Sequence, residues 1–281
     1  MKEGRTIELL SPARNLECAV EAIKHGADAV YIGAGRFGAR QAAGNEVADI
    51  AELTRFAHLY GAKVYVTVNT ILKDTELSDA EKLIWQLYEA GADALLVQDM
   101  AVLRMKLPPI ALHASTQCDV RSADKVRFLA DCGFTRVVLA RELSIDEIRD
   151  IHEACPDVEL ECFVHGALCV SYSGQCYASQ YCMGRSANRG ECAQFCRLKF
   201  DLADSAGQVL VKGKHLLSLR DMNRMGSLEE LMDAGAFLRA KKTARTIPCR
   251  EYGAVCLRGY RRGRDPTRAD SSRSTRKPAP V

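Results

Sequence analysis

Between Phe163 and Arg197 the chain reads FVHGALCVSYSGQCYASQYCMGRSANRGECAQFCR, which gathers Cys169, Cys176, Cys182, Cys192 and Cys196 into one glycine-rich segment. Four of them, spaced Cys169-x6-Cys176-x15-Cys192-x3-Cys196, offer thiolates from a loop that must wrap around something. Four thiolates suit either a tetrahedral zinc ion or an iron-sulfur cluster. Structural zinc sites usually bring two close pairs of CxxC type, and this chain has no CxxC, so the wider spacing favours the cluster. Cys182 is the odd member, a spare thiol, a buried small hydrophobe or a substitute for one of the four. Cys155 and Cys162 are expected in the core or just behind the site. A single nucleophilic cysteine with His165 as its base is the competing chemistry, but it leaves the other thiols unexplained. A zinc peptidase of HExxH type is excluded, because HEACP at 152 to 156 lacks the second histidine.

Such a segment needs a scaffold, and the preceding residues supply a repeat. A helix-like stretch ends at glycine and passes at once into a short apolar run in HGADAVYIGA, YGAKVYVTVN, AGADALLVQD, CGFTRVVLAR and AGAFLRA. Glycine after a helix takes the left-handed conformation that closes it, and the β-branched run that follows suits a strand buried on both faces. Strands are expected at 7–10, 29–32, 64–68, 94–97, 110–114, 136–140 and 160–164, with amphipathic helices between them, several capped by Ser or Asp. Seven alternating units predict a parallel, helix-covered sheet, and the absence of GxGxxG after the first strand favours a closed TIM-type (β/α)8 barrel over an open dinucleotide fold. The GAGRFGAR stretch after the second strand is a weak phosphate-loop match.

Barrel enzymes carry their chemistry at the carboxyl ends of the strands. That rule selects Ser11, Asn69, Gln98, Asp99, His113, Ser115, Gln117, Arg141, Glu142 and His165 as a polar ring. The bland reading, that strand ends are wet in any fold, applies to each. For His113 and His165 a structural hydrogen-bonding role competes as well.

At 281 residues, 47% hydrophobic and 27% charged, the chain can bury a large core as one domain. It has no signal-peptide-like start and no apolar run that could span a bilayer, so a cytoplasmic location is expected. In that compartment clustered cysteines bind metals or do redox work more often than they form disulfides. The net charge of +3 hides an asymmetry: residues 239–281 carry 13 Lys and Arg against 3 Asp and Glu.

The stretch ELECFVHGALCVSYSGQCYAS, with Glu161, Phe163, Gly166, Ala167, Leu168, Cys169, Gly174, Cys176 and Ser179 at matching places, closely resembles the signature of peptidase family U32, the collagenase-like proteases. RSANRGECAQFCRLKFDL and HLLSLRDM look most like the family's bacterial rRNA-hydroxylating branch. The resemblance spans roughly residues 5 to 238. It implies a barrel with a [4Fe-4S] cluster on Cys169, Cys176, Cys192 and Cys196, an oxygen-independent hydroxylation of a pyrimidine in rRNA or tRNA, and prephenate as a hydroxyl donor in the tRNA branch. Arg141, His165 and Glu161 are the expected catalytic residues; Ser11, Asn69, Gln98, His113, Ser115 and Gln117 are expected to bind substrate. Proteolysis, the family's older name, and a zinc-stabilised RNA-binding module remain as alternatives.

Residues 1–238 are expected to form the barrel, with the cysteine-rich segment at 165–200. The family's eighth strand usually reads as an aliphatic run before KIEGR; here LEELMDAGA leads into FLRAKKTARTIPCR, so a defective or missing eighth strand is expected. For 239–281 three readings stand: a basic arm for RNA phosphates, a changed reading frame, or a solvated tail.

Overall fold

The computed structural model of the protein describes residues 8–40 and 44–240, with backbone alone for 237–240. Its elements run in the order β1 (Leu10–Pro12), α1 (Leu16–Lys24), β2 (Ala29–Ala34), β3 (Gly44–Asn45), α2 (Val47–Leu59), β4 (Lys63–Val68), α3 (Leu77–Glu89), β5 (Ala94–Val97), β6 (Ala111–Ala114), α4 (Ala123–Asp131), β7 (Arg136–Val138), α5 (Ile145–Ala154) and β8 (Glu159–Gly166). The cysteine-rich stretch follows, with α6 (Ala178–Met183), β9 (Phe200–Ala203), β10 (Val209–Lys214) and β11 (Met222–Asn223). Then come α7 (Leu228–Asp233) and β12 (Ala236–Ala240).

The helices begin where side chains can take up their free amides. Asn15 accepts from Cys18 N at 3.1 Å, Ser122 from Lys125 N at 3.3 Å, and Ser144 and Glu147 cap each other's backbone at the start of α5. The recurring glycine closes them: Gly91 and Gly235 have φ of +87° and +98°. At Gly235 there is a second constraint, because a Cβ would lie 2.2 Å from the His152 ring of α5.

Eight strands form a curled parallel run in the order β1-β12-β8-β7-β6-β5-β4-β2, to which β3 adds in parallel beside β2 and β11 pairs antiparallel with the end of β8. The run's pairings return on themselves, since β1 also pairs with β2 through Leu10 opposite Ala29 and Pro12 opposite Tyr31. The predicted strands all appear; the first lies at Leu10–Pro12 in place of 7–10, because that is where its backbone meets β2. Residues 1–7 lie outside the described residues.

The expectation of a defective eighth strand is corrected. β12 forms over Ala236–Ala240 and pairs parallel with β8 from Ala236 opposite Leu160 to Ala240 opposite His165, and with β1 at Leu10 opposite Arg239. Parallel pairing is made by backbone amides and carbonyls, so FLRA can serve where the family has an aliphatic run. The basic stretch beyond residue 240 lies outside the described residues.

Two apolar clusters follow from the period of two along each strand. One set of side chains packs under the helices, with Val30, Ile32, Val64, Val66, Leu95, Val97, Val137 and Leu160 among them. The opposite set, Leu10, Ala29, Tyr65, Ala94, Leu96, Val138 and Phe163, meets inside the curl.

Below that inner layer, at the amino ends of the strands, lies an ionic cluster. The Arg136 guanidinium, 4% exposed, pairs with Glu8, with Glu159 at 2.7 Å and with Glu161 at 3.8 Å, while Tyr65 donates its hydroxyl to Glu8 at 2.8 Å. Burial alone would lower the Arg136 pKa, but the Glu8 hydrogen bond and the charges of Tyr65, Glu161 and Glu8 outweigh it and hold the group above its ordinary value. Removing one partner from such a cluster strands the others without compensation. Arg136→Ala is therefore expected to lose about 3–5 kcal/mol of stability, read from the urea midpoint of the full chain at neutral pH.

Candidate functional site

At the opposite, carboxyl end of the strands the loops are tied to one another. Ser115 caps the turn at Thr116–Cys118 by accepting from Gln117 N at 3.3 Å. Asn69, just past β4, donates to Ser115 Oγ at 2.9 Å and accepts from Ala39 N at 2.8 Å, so the loops after β2, β4 and β6 share one buried amide. Asp99 is spent on backbone, accepting from Leu72 N at 2.8 Å and Ala101 N at 2.9 Å.

The cysteine segment folds over this rim. Gly174, at φ +71°, rests against the β6 loop so closely that a Cβ there would lie 2.2 Å from the Gln117 carbonyl oxygen. Next to it Gln175 donates to Asp119 at 2.9 Å, and the Arg121 guanidinium covers the Tyr172 ring at 3.8 Å from its centroid. Farther along, Arg189 grips Glu76 at 2.7 and 3.0 Å and the Ile71 carbonyl at 2.8 Å, and Arg197 donates to the Leu168 carbonyl and to Ser218 Oγ. The buried Ser179 accepts from Ala193 N at 3.1 Å, tying α6 to the stretch that bears the last two cysteines.

Segment and rim enclose a cavity of about 190 Å³. Cys169, Cys176, Cys192 and Cys196 all line it; Cys182 does not, and is exposed on α6. The thiols sense one another: burial raises the Cys196 pKa most, Arg197 pulls it back, and Cys192, Cys169 and Cys176 raise it further. Arg141 leans over the same space. Its Nη1 lies 3.6 Å from Cys169 Sγ, its guanidinium carbon sits 4.7 Å from the Phe163 ring centroid, and its buried Nε has no hydrogen-bond partner. Among the described residues no histidine, aspartate or glutamate lines the cavity, and no group of three or more His, Cys, Asp or Glu is set to hold a single ion. Four cysteines on one wall beside a cation fit a soft iron-sulfur centre in donor type, and do not fit oxygen-ligated metals. In contrast Cys162 is buried in the core, which pushes its thiol up to about 12 and leaves it unreactive.

The residues chosen from the sequence divide accordingly. Asn69, Ser115, Gln117 and Arg141 are on the cavity wall with the four cysteines. Gln98 lies just behind it, its amide nitrogen 3.4 Å from where a Gly174 Cβ would be. Ser11 shares the strand parity of Leu9, which packs under the helices, and is not on the wall. His113 lies within the curl with its ring edge-on to Tyr65, centroids 4.8 Å apart. Glu161 belongs to the ionic cluster at the far end of the strands. His165 occupies the end of β8 where it meets Asn223 of β11, away from the cavity wall. Neither Glu161 nor His165 touches the enclosed space. Wall residues with no counterpart in the sequence reading include Tyr31, Thr67, Thr116 and Arg40. Thr67 lies two residues before Asn69 on the same face, and Arg40 ends the GAGRFGAR loop, so strand parity and loop position were the available signals.

A family model described as Peptidase family U32 matches residues 14–279. The chain belongs to peptidase family U32. Among U32 relatives it is 59% identical over 229 residues to the 23S rRNA 5-hydroxycytidine C2501 synthase of Escherichia coli strain K12, covering 82% of this chain and 35% of that protein. It is 36% identical over 273 residues to the tRNA hydroxylation protein P1 of Bacillus subtilis strain 168, covering 94% of this chain and 64% of that one. The chain thus spans between about a third and two thirds of the length of these relatives. The solved structure of the U32 peptidase Mk0906 shares the fold at a TM-score of 0.57 and 12% identity, over 88% of this chain and 97% of that one.

Two tests follow for how the U32 segment is held. Gly174→Ala forces a side chain against backbone at a positive φ, so it is expected to release 167–199 to limited proteolysis and to lose more than about 1 kcal/mol of stability. Arg189 and the Lys73 amide lower the Glu76 carboxyl from its ordinary 4.5 to about 2, so its pairing stabilises the folded state above pH 4.5 and is lost as pH falls toward 2. The thermal midpoints of the wild type and Glu76→Gln should differ by a constant amount above that window and converge below it.

Proposed function

We propose that this chain is an iron-sulfur-dependent hydroxylase of a pyrimidine in rRNA or tRNA, built on a TIM-type (β/α)8 barrel. The observation that carries the reading is the convergence of Cys169, Cys176, Cys192, Cys196 and Arg141 on one cavity at the carboxyl ends of the strands. The names of the two relatives, an rRNA hydroxycytidine synthase and a tRNA hydroxylation protein, supply the substrate class. A cluster held by the four thiolates supplies the electron chemistry that side chains lack.

The protein's own share is binding and orientation. A base taken out of its stack can present its edge to the polar residues on this wall. Asn69 is held by Ala39 and Ser115 and so presents its amide edge in a fixed direction. Thr116, whose buried hydroxyl has no hydrogen-bond partner, stands on the same wall. Arg141 Nε, equally unpartnered and flanked by the Phe163 ring, can grip the carboxylate of a small hydroxyl donor such as prephenate.

Peptide hydrolysis, the reaction in the family name, has weaker support. General acid-base cleavage needs a histidine or carboxylate beside the scissile bond. Among the described residues the cavity wall holds neither.

Anaerobic purification followed by iron, zinc and acid-labile sulfide analysis tests the cofactor. Iron and sulfide in equal amounts, retained in Cys182→Ser and lost in Cys176→Ser, is the expected result; zinc without iron sinks the reading. Arg141→Ala should keep its iron and lose hydroxypyrimidine formation by at least about tenfold, scored by nucleoside mass spectrometry in a strain lacking the endogenous enzyme.

A further inference from the structure

The short helix α6 exposes two tyrosines that the site as described does not use. Tyr177 is 67% exposed and Tyr181 is 92% exposed. A turn of helix joins them, with Tyr181 N donating to the Tyr177 carbonyl at 2.9 Å, so the two rings share one face. That face is set by Ser179, which is buried and fixed to Ala193. At about 100° per residue, positions two before and two after Ser179 both point away from the protein. The anchoring of this helix therefore forces both rings outward.

The placement has chemical content. Tyr177 directly follows Cys176, a cavity-lining residue, and Tyr172, 56% exposed, stands on the cavity wall itself under the Arg121 guanidinium. From Cys162 to Gly190 the chain has no aspartate or glutamate, while Arg185 is exposed just past the helix and Arg40 is exposed on the cavity rim. Aromatic faces near a cavity, in a stretch with no acidic side chain of its own and flanked by arginines, are what single-stranded nucleic acid requires, and the Asp119 and Glu142 carboxylates of the neighbouring loops are paired with Arg121. A protein partner would not need the absence of carboxylates.

We infer that Tyr177 and Tyr181 are a stacking platform for the unpaired nucleotides that flank the base held in the cavity. The inference rests on the RNA reading above and adds to it the surface along which the strand lies. Stacking is indifferent to base identity, so the platform contributes affinity and leaves the choice of base to the cavity.

Fluorescence anisotropy of the full chain with a short fluorescein-labelled single-stranded RNA, and with the same RNA as a duplex, tests it. Each ring removed should weaken single-strand binding by about fivefold or more and the Tyr177→Ala/Tyr181→Ala pair by about 25-fold or more, whereas Tyr177→Phe/Tyr181→Phe should stay within about twofold. Iron content should be the same in all variants, and duplex binding should change little. Wild-type binding to RNA with no loss in the alanine pair would overturn the platform and leave the hydroxylase reading standing. No RNA binding by the wild type would overturn both. Unchanged RNA affinity with altered sedimentation in the alanine pair would assign the tyrosines to a protein contact and overturn the platform.

Discussion

Eight strands that run one way, curled until the first meets the last, have only one end at which the loops after them can gather. The interior of the curl must also be filled, and here it is filled in layers: Arg136 with Glu8, Glu159 and Glu161 at the amino end, Tyr65, Leu96, Val138 and Phe163 in the middle, Asn69 and Ser115 at the top. The lower layers are sealed by charge pairing and apolar packing. Among the described residues the top carries polar groups on the wall of a cavity, so a small molecule can be held there. The direction of the strands and the filling of the curl act as one constraint.

Onto that top the cysteine segment is fastened at several separate points, and the fastening sets the four cysteines between 169 and 196 on the wall of one cavity. Gly174 against Gln117, Gln175 on Asp119 and Arg189 on Glu76 fix its course before any cofactor is considered. Cys182 stands apart from the four cysteines, exposed on α6 and off the cavity wall.

Much of this was legible in the sequence for a physical reason. Alternation of amphipathic helix, closing glycine and β-branched run is a local pattern, and Ala94–Val97 or Ile145–Ala154 follow from it almost to the residue. The four cysteines were legible because their residue type admits few other roles at that spacing. Height within the curl was not legible. Glu161 and His113 look like site residues by type, yet lie inside or at the far end, since register between strands decides depth and register is set by distant partners. The eighth strand was misjudged for the opposite reason: its side chains looked wrong, but pairing with β8 and β1 depends on backbone. Thr67 and Tyr31 carry no distinctive chemistry, so only the fold could bring them to the cavity wall.

The fastening of the cysteine segment also has a temporal meaning. Gln175 and Asp119 are 56 residues apart and Arg189 and Glu76 are 113 apart, and the sheet beneath them closes over a longer span still, where Leu10 meets Arg239. Contacts across long chain separations carry the larger loop-closure cost. Cys169, Cys176, Cys192 and Cys196 are near one another in sequence, but the chain that closes the sheet, β12, comes after them. Their seat on the rim therefore waits on residues made later than the cysteines themselves.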